Sequence, residues 1–184
     1  RLHYLMLYRE IHGPLERLAV ELANELGIKQ VDLSPKPLTY FTSNQSLKIE
    51  NYEVMRGHVL LYGDRDPCRH MPPWRAEDIP LFEGTWLFRN RGAGLLLAAL
   101  YFQTAAQIPA AKRENFVIEC TKAQLAMGDS VLLLNGRYHH HYHRRYGIME
   151  ELPLSGIPSG EAVREGYREA LNQKLNPDFD RYSK

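Results

Sequence analysis

Apolar residues return at helical spacing in the first part of the chain. Between residues 3 and 26, leucines and alanines recur every three to four positions, with acids and arginines between them. This period of about 3.6 residues predicts an amphipathic helix. Gly13-Pro14 predicts a break into a short first helix and a longer second one, and Gly27 predicts the C-terminal stop.

The same period returns further along the chain. Gly57, Gly136 and Asn176 are the predicted ends of later helices, and Ser159 is a predicted N-cap. The pattern predicts four more helices, at residues 46–55, 76–102, 110–135 and 159–175.

Two short segments have the composition of strands, residues 28–33 and residues 58–62. Asp64-Arg65-Asp66, beside Pro67, has the composition of a turn. Because two strands do not form an independently stable sheet, we expect the edge of a sheet whose other strands are absent or come from another chain. The predicted fold class is α+β and mostly α, with a mixed part at residues 1–75 and an antiparallel helical bundle at residues 76–184.

Composition narrows the class of protein. Hydrophobic residues make up 44% and charged residues 24% of the 184 residues, as in a globular protein, and the net charge of +1 gives no global attraction to nucleic acid. The chain has two cysteines, Cys68 and Cys120, without paired spacing, which argues against a disulfide framework and a cysteine-based zinc site. This usage, with no apolar run of 18 residues, predicts a cytoplasmic protein without a membrane span.

Several short motifs then carry a resemblance to a known family. Val31-Asp32-Leu33-Ser34 lies between two helices, the second of which contains Tyr52-Glu53, and Gly57-His58-Val59-Leu60-Leu61-Tyr62-Gly63 follows. This order is similar to the latter half of small prokaryotic nucleotidyltransferase domains of the polymerase-β type. Leu87-Phe88-Arg89-Asn90-Arg91 and the segment 122–138 resemble the helical bundle that follows such domains.

The resemblance implies transfer of a nucleoside monophosphate from a nucleoside triphosphate to an acceptor hydroxyl with Mg²⁺. It implies that Asp32 is a catalytic carboxylate and metal ligand, the third of three that hold two cations. It also implies that Lys122, with Arg89 and Arg91 as weaker candidates, approaches the phosphates. The spacing alone is more typical of a solvated acid at Asp32 and of ordinary surface cations at the three basic positions.

The chain departs from the family pattern before Asp32. No Gly-Ser turn and no Asp-x-Asp pair precede it, and Asp64-Arg65-Asp66 follows it. We expect the missing motif to lie upstream of Arg1, and the chain alone to be inactive. The alternative is a degenerate, non-catalytic relative whose bundle binds a partner protein or a second copy.

Two further features leave their chemistry open. Asp129 stands among apolar residues of a predicted helix and needs a partner if it is buried, for which Arg89 or Arg91 is available. In the run 137–146, His139 and His143 would share a helical face as in a two-histidine metal site. Arg137 and His143 of the same run satisfy the Arg-x5-His pattern of HEPN-type ribonucleases, and a basic aromatic surface is the plainer interpretation.

Overall fold

The computed structural model describes residues 2–28, 31–43, 46–63, 66–104 and 109–179. The chain divides into two compact units, Arg1–Asn44 and Gln45–Lys184. Within the described residues the chain is mostly α-helical and contains no strand, so the mostly-α expectation is confirmed. The predicted change of character near residue 75 lies inside the second unit.

In the part of the first unit that the structure describes there are two helices, α1 (Leu2–Leu26) and α2 (Leu38–Ser43). The predicted break in α1 is wrong, because the helix runs through Pro14. A proline ring clashes with the Cβ of the preceding residue, and Gly13 has no Cβ. The predicted end is confirmed, since Gly27 takes the left-handed conformation, with φ of +64°.

The predicted strand at residues 28–33 is not found in the described part of that segment. Residues 31–37 are irregular, and residues 29 and 30 lie outside the described residues. The second predicted strand, residues 58–62, is also irregular, and the side chains of Leu61 and Tyr62 are 91% and 95% exposed. Strand composition produces a strand only where a neighbouring strand completes the ladder, and the described residues contain none.

The described residues of the second unit include five α-helices: α3 (Ile49–Gly57), α4 (Phe82–Thr104), α5 (Ala110–Leu134), α6 (Tyr142–Glu151) and α7 (Gly160–Leu175). The helix predicted at 76–102 is a short 3₁₀ turn, Ala76–Asp78, followed by α4, because Pro80 separates the two. The apolar period predicts no separate helix at α6, because histidines and arginines hide that period there. None of the described helices combines the length and the apolar character that crossing a bilayer requires.

Helix α5 is the centre of the second unit and packs against α4, α6 and α7. Its Leu132 is completely buried, and Tyr167 and Leu171 of α7 are each 1% exposed. Gly128 of α5 allows this packing, because a Cβ there would overlap the ring of Tyr167. The close approach of α5 and α7 brings polar groups of both helices into the core.

Candidate functional site: a pocket beside a buried arginine

Arg145 of α6 is a charged residue in the core, with 1% of its surface exposed. Its Nη1 donates to Oδ2 of Asp129 at 3.1 Å, and its Nη2 donates to Oε1 of Glu53. Its Nε donates to the backbone carbonyl of His139. Three sides of the guanidinium are therefore held by acceptors, and two of these acceptors are carboxylates.

Two aromatic rings enclose the same guanidinium. Its Cζ lies 4.2 Å from the ring centroid of Tyr138 and 4.3 Å from that of Tyr142. Arginine stacks favourably on aromatic faces, more so away from water. Hydrogen bonds and stacking therefore hold Arg145 in place. We infer that Arg145 positions the neighbouring side chains, and that these neighbours contact a ligand.

Two tyrosine hydroxyls complete the hydrogen bonding of the carboxylates. The Tyr167 hydroxyl donates to Oδ1 of Asp129 at 2.5 Å, and the Tyr138 hydroxyl donates to Oε1 of Glu53 at 2.6 Å. Asp129 is 6% exposed, whereas the side chain of Glu53 is 37% exposed. Water is therefore largely excluded from Asp129, whereas it reaches Glu53.

The buried groups influence each other's protonation. Burial by itself lowers the pKa of Arg145, but the facing Asp129 and Glu53 outweigh it and the pKa is raised. Burial raises the pKa of the Asp129 carboxyl, and Arg145 and the Tyr167 hydroxyl counteract that rise. Burial and the nearby Asp129 also raise the pKa of Tyr167. Both oxygens of Asp129 accept hydrogen bonds, Oδ2 from the Arg145 guanidinium and Oδ1 from the Tyr167 hydroxyl, which is the geometry of an ionised carboxylate that faces an arginine cation.

A cavity of about 380 Å³ opens beside this network. Leu87, Ile118 and Leu125 contribute apolar wall, and Phe179 beyond α7 also lines the cavity. The described residues that line it include four basic and two acidic side chains: Arg91, Lys122, Arg145, Lys174, Glu53 and Asp129. Because four cations face two carboxylates, the excess of charge among these lining residues is positive.

The structure brings together part of the predicted phosphate-binding set. Lys122 and Arg91 line the same cavity, from α5 and α4 respectively. Arg89 lines a neighbouring groove, which also contains Arg91, and lies over the ring of Trp86 at 5.4 Å. Lys122 also pairs with Glu119 one turn earlier, its Nζ 2.8 Å from Oε1.

Asp32 lies in the irregular segment of the first unit and is exposed. It is the only acid of residues 31–43. A pair of Mg²⁺ ions requires several anionic oxygens. This segment alone therefore does not provide the implied magnesium site, and Asp32 as a metal ligand stays a prediction.

The predicted partner of Asp129 is wrong. The need for a partner was correct, but Arg145 fills that role and neither Arg89 nor Arg91 does. The feature of the sequence that indicates a buried pair is Asp129 itself, an acid in the apolar stretch of α5. Its partner was missed because Arg145 lies in a histidine-rich run whose helix was not predicted.

The histidine run does not provide the expected two-histidine face. Helix α6 begins at Tyr142, so His139 lies before it and His143 lies in its first turn. The rings of His139, His140 and His141 instead lie against one another, with neighbouring centroids 4.3 and 4.1 Å apart.

The residues of the ribonuclease pattern have separate surroundings. Arg137, before α6, lies 3.7 Å from Glu151 at the end of that helix. His143 lines a different groove with Tyr146 and Arg168. The ribonuclease interpretation therefore gains no shared site from the described contacts.

Three side chains with ligand atoms meet at a second place, beyond the end of α3. Oδ2 of Asp66 lies 3.0 Å from Nε2 of His58, and Cys68 contributes a buried thiol. Asp66 is also the N-cap of the 3₁₀ turn Pro67–His70, which agrees with its prediction as a turn residue, while residues 64 and 65 lie outside the described residues. The expectation of no cysteine-based zinc site rests on the spacing of the two cysteines, and a set of one cysteine, one histidine and one aspartate lies outside that argument.

Comparisons of the chain with protein-family models, with curated proteins and with solved structures found no match.

Proposed function

We propose that the second unit binds a small anionic ligand of the nucleoside phosphate type in the cavity beside Arg145. The observation that carries the proposal is the convergence of Lys122, Arg91 and Lys174, from three different helices, on one cavity. Ligand pockets are mostly apolar cavities with a few convergent polar groups, and this cavity has that composition.

The arrangement of charges supports an anion. Glu53 and Asp129 hold the guanidinium of Arg145, so the acids of the cavity are engaged by the network. Lys122 and Arg91 then present their charges to a phosphate, while the apolar wall offers a surface for a nucleobase. A ligand phosphate would compete with Glu119 for Lys122, because the lysine side chain is 40% exposed.

The test is a titration of the full chain with ATP, GTP, CTP, UTP and inorganic triphosphate in which calorimetry measures the affinity for each anion. We expect Lys122→Ala and Arg91→Ala each to weaken binding about tenfold or more, because a hydrogen bond to a charged group contributes about 1.5–3 kcal/mol. Lys112→Ala is the matched control, since Lys112 is also on α5 and lies over the ring of Tyr101, not among the cavity residues. Equal affinities of the Lys122 and Lys112 variants, or no binding of any of these anions, would contradict the proposal.

We propose that this binding serves a nucleotidyl transfer reaction. The ligand of the cavity would be the nucleoside triphosphate, and the resemblance separately implies that Asp32 is a Mg²⁺ carboxylate. The support is the resemblance of the motifs together with the shared cavity of Lys122 and Arg91. The chain alone, with Mg²⁺, labelled ATP and candidate acceptors, is expected to give no labelled product, and product formation would contradict the expectation that the chain alone is inactive.

A non-catalytic interaction module is the second candidate, favoured by one surface of α4. Leu96, Leu97 and Leu100 are 72%, 70% and 56% exposed on this helix. Exposed apolar patches of this kind mark interaction surfaces. If a second copy covers it, Leu97→Glu will lower the mass measured by sedimentation and leave the binding of anions unchanged.

A further inference from the structure

We propose that His58, Asp66 and Cys68 bind one divalent transition-metal ion of the zinc type at the end of α3. An imidazole nitrogen, a carboxylate oxygen and a thiol sulfur of these residues all lie within 4.8 Å of one another. The site is separate from the cavity beside Arg145, since none of the three residues lines that cavity.

Local backbone structure positions the three ligands. His58 is the C-cap of α3, and Asp66 and Cys68 belong to the 3₁₀ turn that packs against this helix. The backbone N–H of Cys68 donates to Oδ1 of Asp66 at 2.8 Å. This bond occupies one carboxylate oxygen and leaves Oδ2 facing the imidazole.

The orientation of His58 is that of a metal ligand. Its Nδ1 lies 3.0 Å from the carbonyl oxygen of Val54 and 3.2 Å from that of Met55. Since carbonyl oxygens only accept, Nδ1 carries the proton. Histidine ligands of metals commonly donate their second ring nitrogen to such a carbonyl, which fixes the tautomer and points the other nitrogen at the metal.

That tautomer leaves two acceptors facing each other. In the neutral ring, Nε2 has a lone pair, and it lies 3.0 Å from the ionised oxygen of Asp66. Two acceptors at this separation repel unless a cation lies between them, either a proton or a metal ion. A metal at about 2.0–2.2 Å from both atoms fits the separation after a small opening of the pair, and the thiol lies within reach of the same ion.

The ligand types select the metal. A nitrogen, an oxygen and a sulfur form the mixed set that zinc accepts, whereas Mg²⁺ and Ca²⁺ prefer oxygen alone. Three protein ligands leave a fourth tetrahedral position for water. Binding replaces the S–H bond of Cys68 by a sulfur–metal bond and releases the proton to solvent.

The experiment is titration of the reduced, chelator-treated chain with Co²⁺, followed by displacement with Zn²⁺. A thiolate–cobalt charge-transfer band should grow to one equivalent of metal, with the visible bands of tetrahedral cobalt, and Zn²⁺ should abolish both. Cys68→Ser should eliminate the band. His58→Gln should weaken binding by more than the roughly 10–100-fold loss that follows removal of a second-shell partner.

Matched controls are Cys120→Ser, which changes the other cysteine, and His70→Gln, which changes a histidine of the same turn. Both should bind like the unchanged chain. No charge-transfer band, or a band that persists in Cys68→Ser, would overturn the proposal. So would binding without the band, which would assign the metal to other histidines. If Cys68→Ser does not fold, as judged by circular dichroism, His58→Gln with its intact thiol decides between these results.

Discussion

Among the arginine–carboxylate contacts between helices of the second unit, two have the same chemistry and opposite surroundings. Arg145 meets Asp129 in the core, where the two side chains are 1% and 9% exposed. Arg168 of α7 meets both oxygens of Glu150 of α6 at 2.9 and 3.0 Å, with side chains 48% and 34% exposed. The exposed pair has the better two-point geometry, yet it has water as an alternative partner and the buried pair does not.

From this difference we infer that burial, more than geometry, decides how much the loss of one partner of an ion pair lowers the free energy of unfolding. Removal of one partner of a buried pair leaves the other charge unpaired in a medium that solvates it poorly. Removal of one partner of an exposed pair returns the other to water. The buried network of Arg145 should therefore hold α5, α6 and residue 53 of α3 in one arrangement, and so shape the cavity.

Replacement of the buried arginine is expected to have the largest effect. Arg145→Met should lower the free energy of unfolding by about 3–5 kcal/mol, because Asp129 then keeps a buried charge without its cation. Chemical denaturation followed by circular dichroism measures this loss. The double variant with Asp129→Asn should recover part of it, and a single-variant loss below about 1 kcal/mol would place Arg145 in the class of exposed pairs.

The two tyrosine hydroxyls donate to different carboxylates, one to the buried Asp129 and one to the partly exposed Glu53. Tyr167→Phe should cost about 1–3 kcal/mol, because Asp129 loses a donor that water does not replace. Tyr138→Phe should cost less, since water reaches Glu53. Equal losses in the same denaturation measurement would show that exposure does not distinguish the two carboxylates.

The histidines before α6 are expected to make the free energy of unfolding depend on pH. Burial, together with neighbouring histidines and arginines, lowers the pKa of His139 and of His140 below the ordinary value of 6.5. The unfolded chain then binds more protons than the folded chain below this value, so stability present above pH 6.5 is lost as the pH falls. The double variant His139→Gln and His140→Gln should flatten the pH profile of unfolding between neutral and mildly acidic pH. An unchanged slope would contradict the assignment.

The exposed pair is expected to show the smallest effect. Arg168→Gln should leave the free energy of unfolding unchanged within the error of denaturation experiments, because Glu150 returns to water. A loss comparable to that of Arg145→Met would contradict the role that we assign to burial.

Local patterns were sufficient for two long helices of the second unit, α5 and α7. The apolar period predicted α5 and α7 within one residue of their bounds, and Gly136 follows α5 in the left-handed conformation, as a helix stop does. Such features depend on residues three or four positions apart, and the sequence displays them directly. Even so, the predicted N-cap Ser159 occupies its position with φ of +54° and forms no side-chain cap bond.

The sequence by itself determined that Asp129 needed a partner, that most of the chain is helical, and that Lys122 lies near Asp129 on α5. Only the tertiary structure decided the partner: Arg145, 16 residues away, which also reaches Glu53 at a separation of 92 residues. It likewise left two strand-like segments irregular, because the described residues offer them no neighbouring strand. The physical reason is the same in both cases, since burial and pairing depend on what packs alongside, and a local period contains no information about distant neighbours.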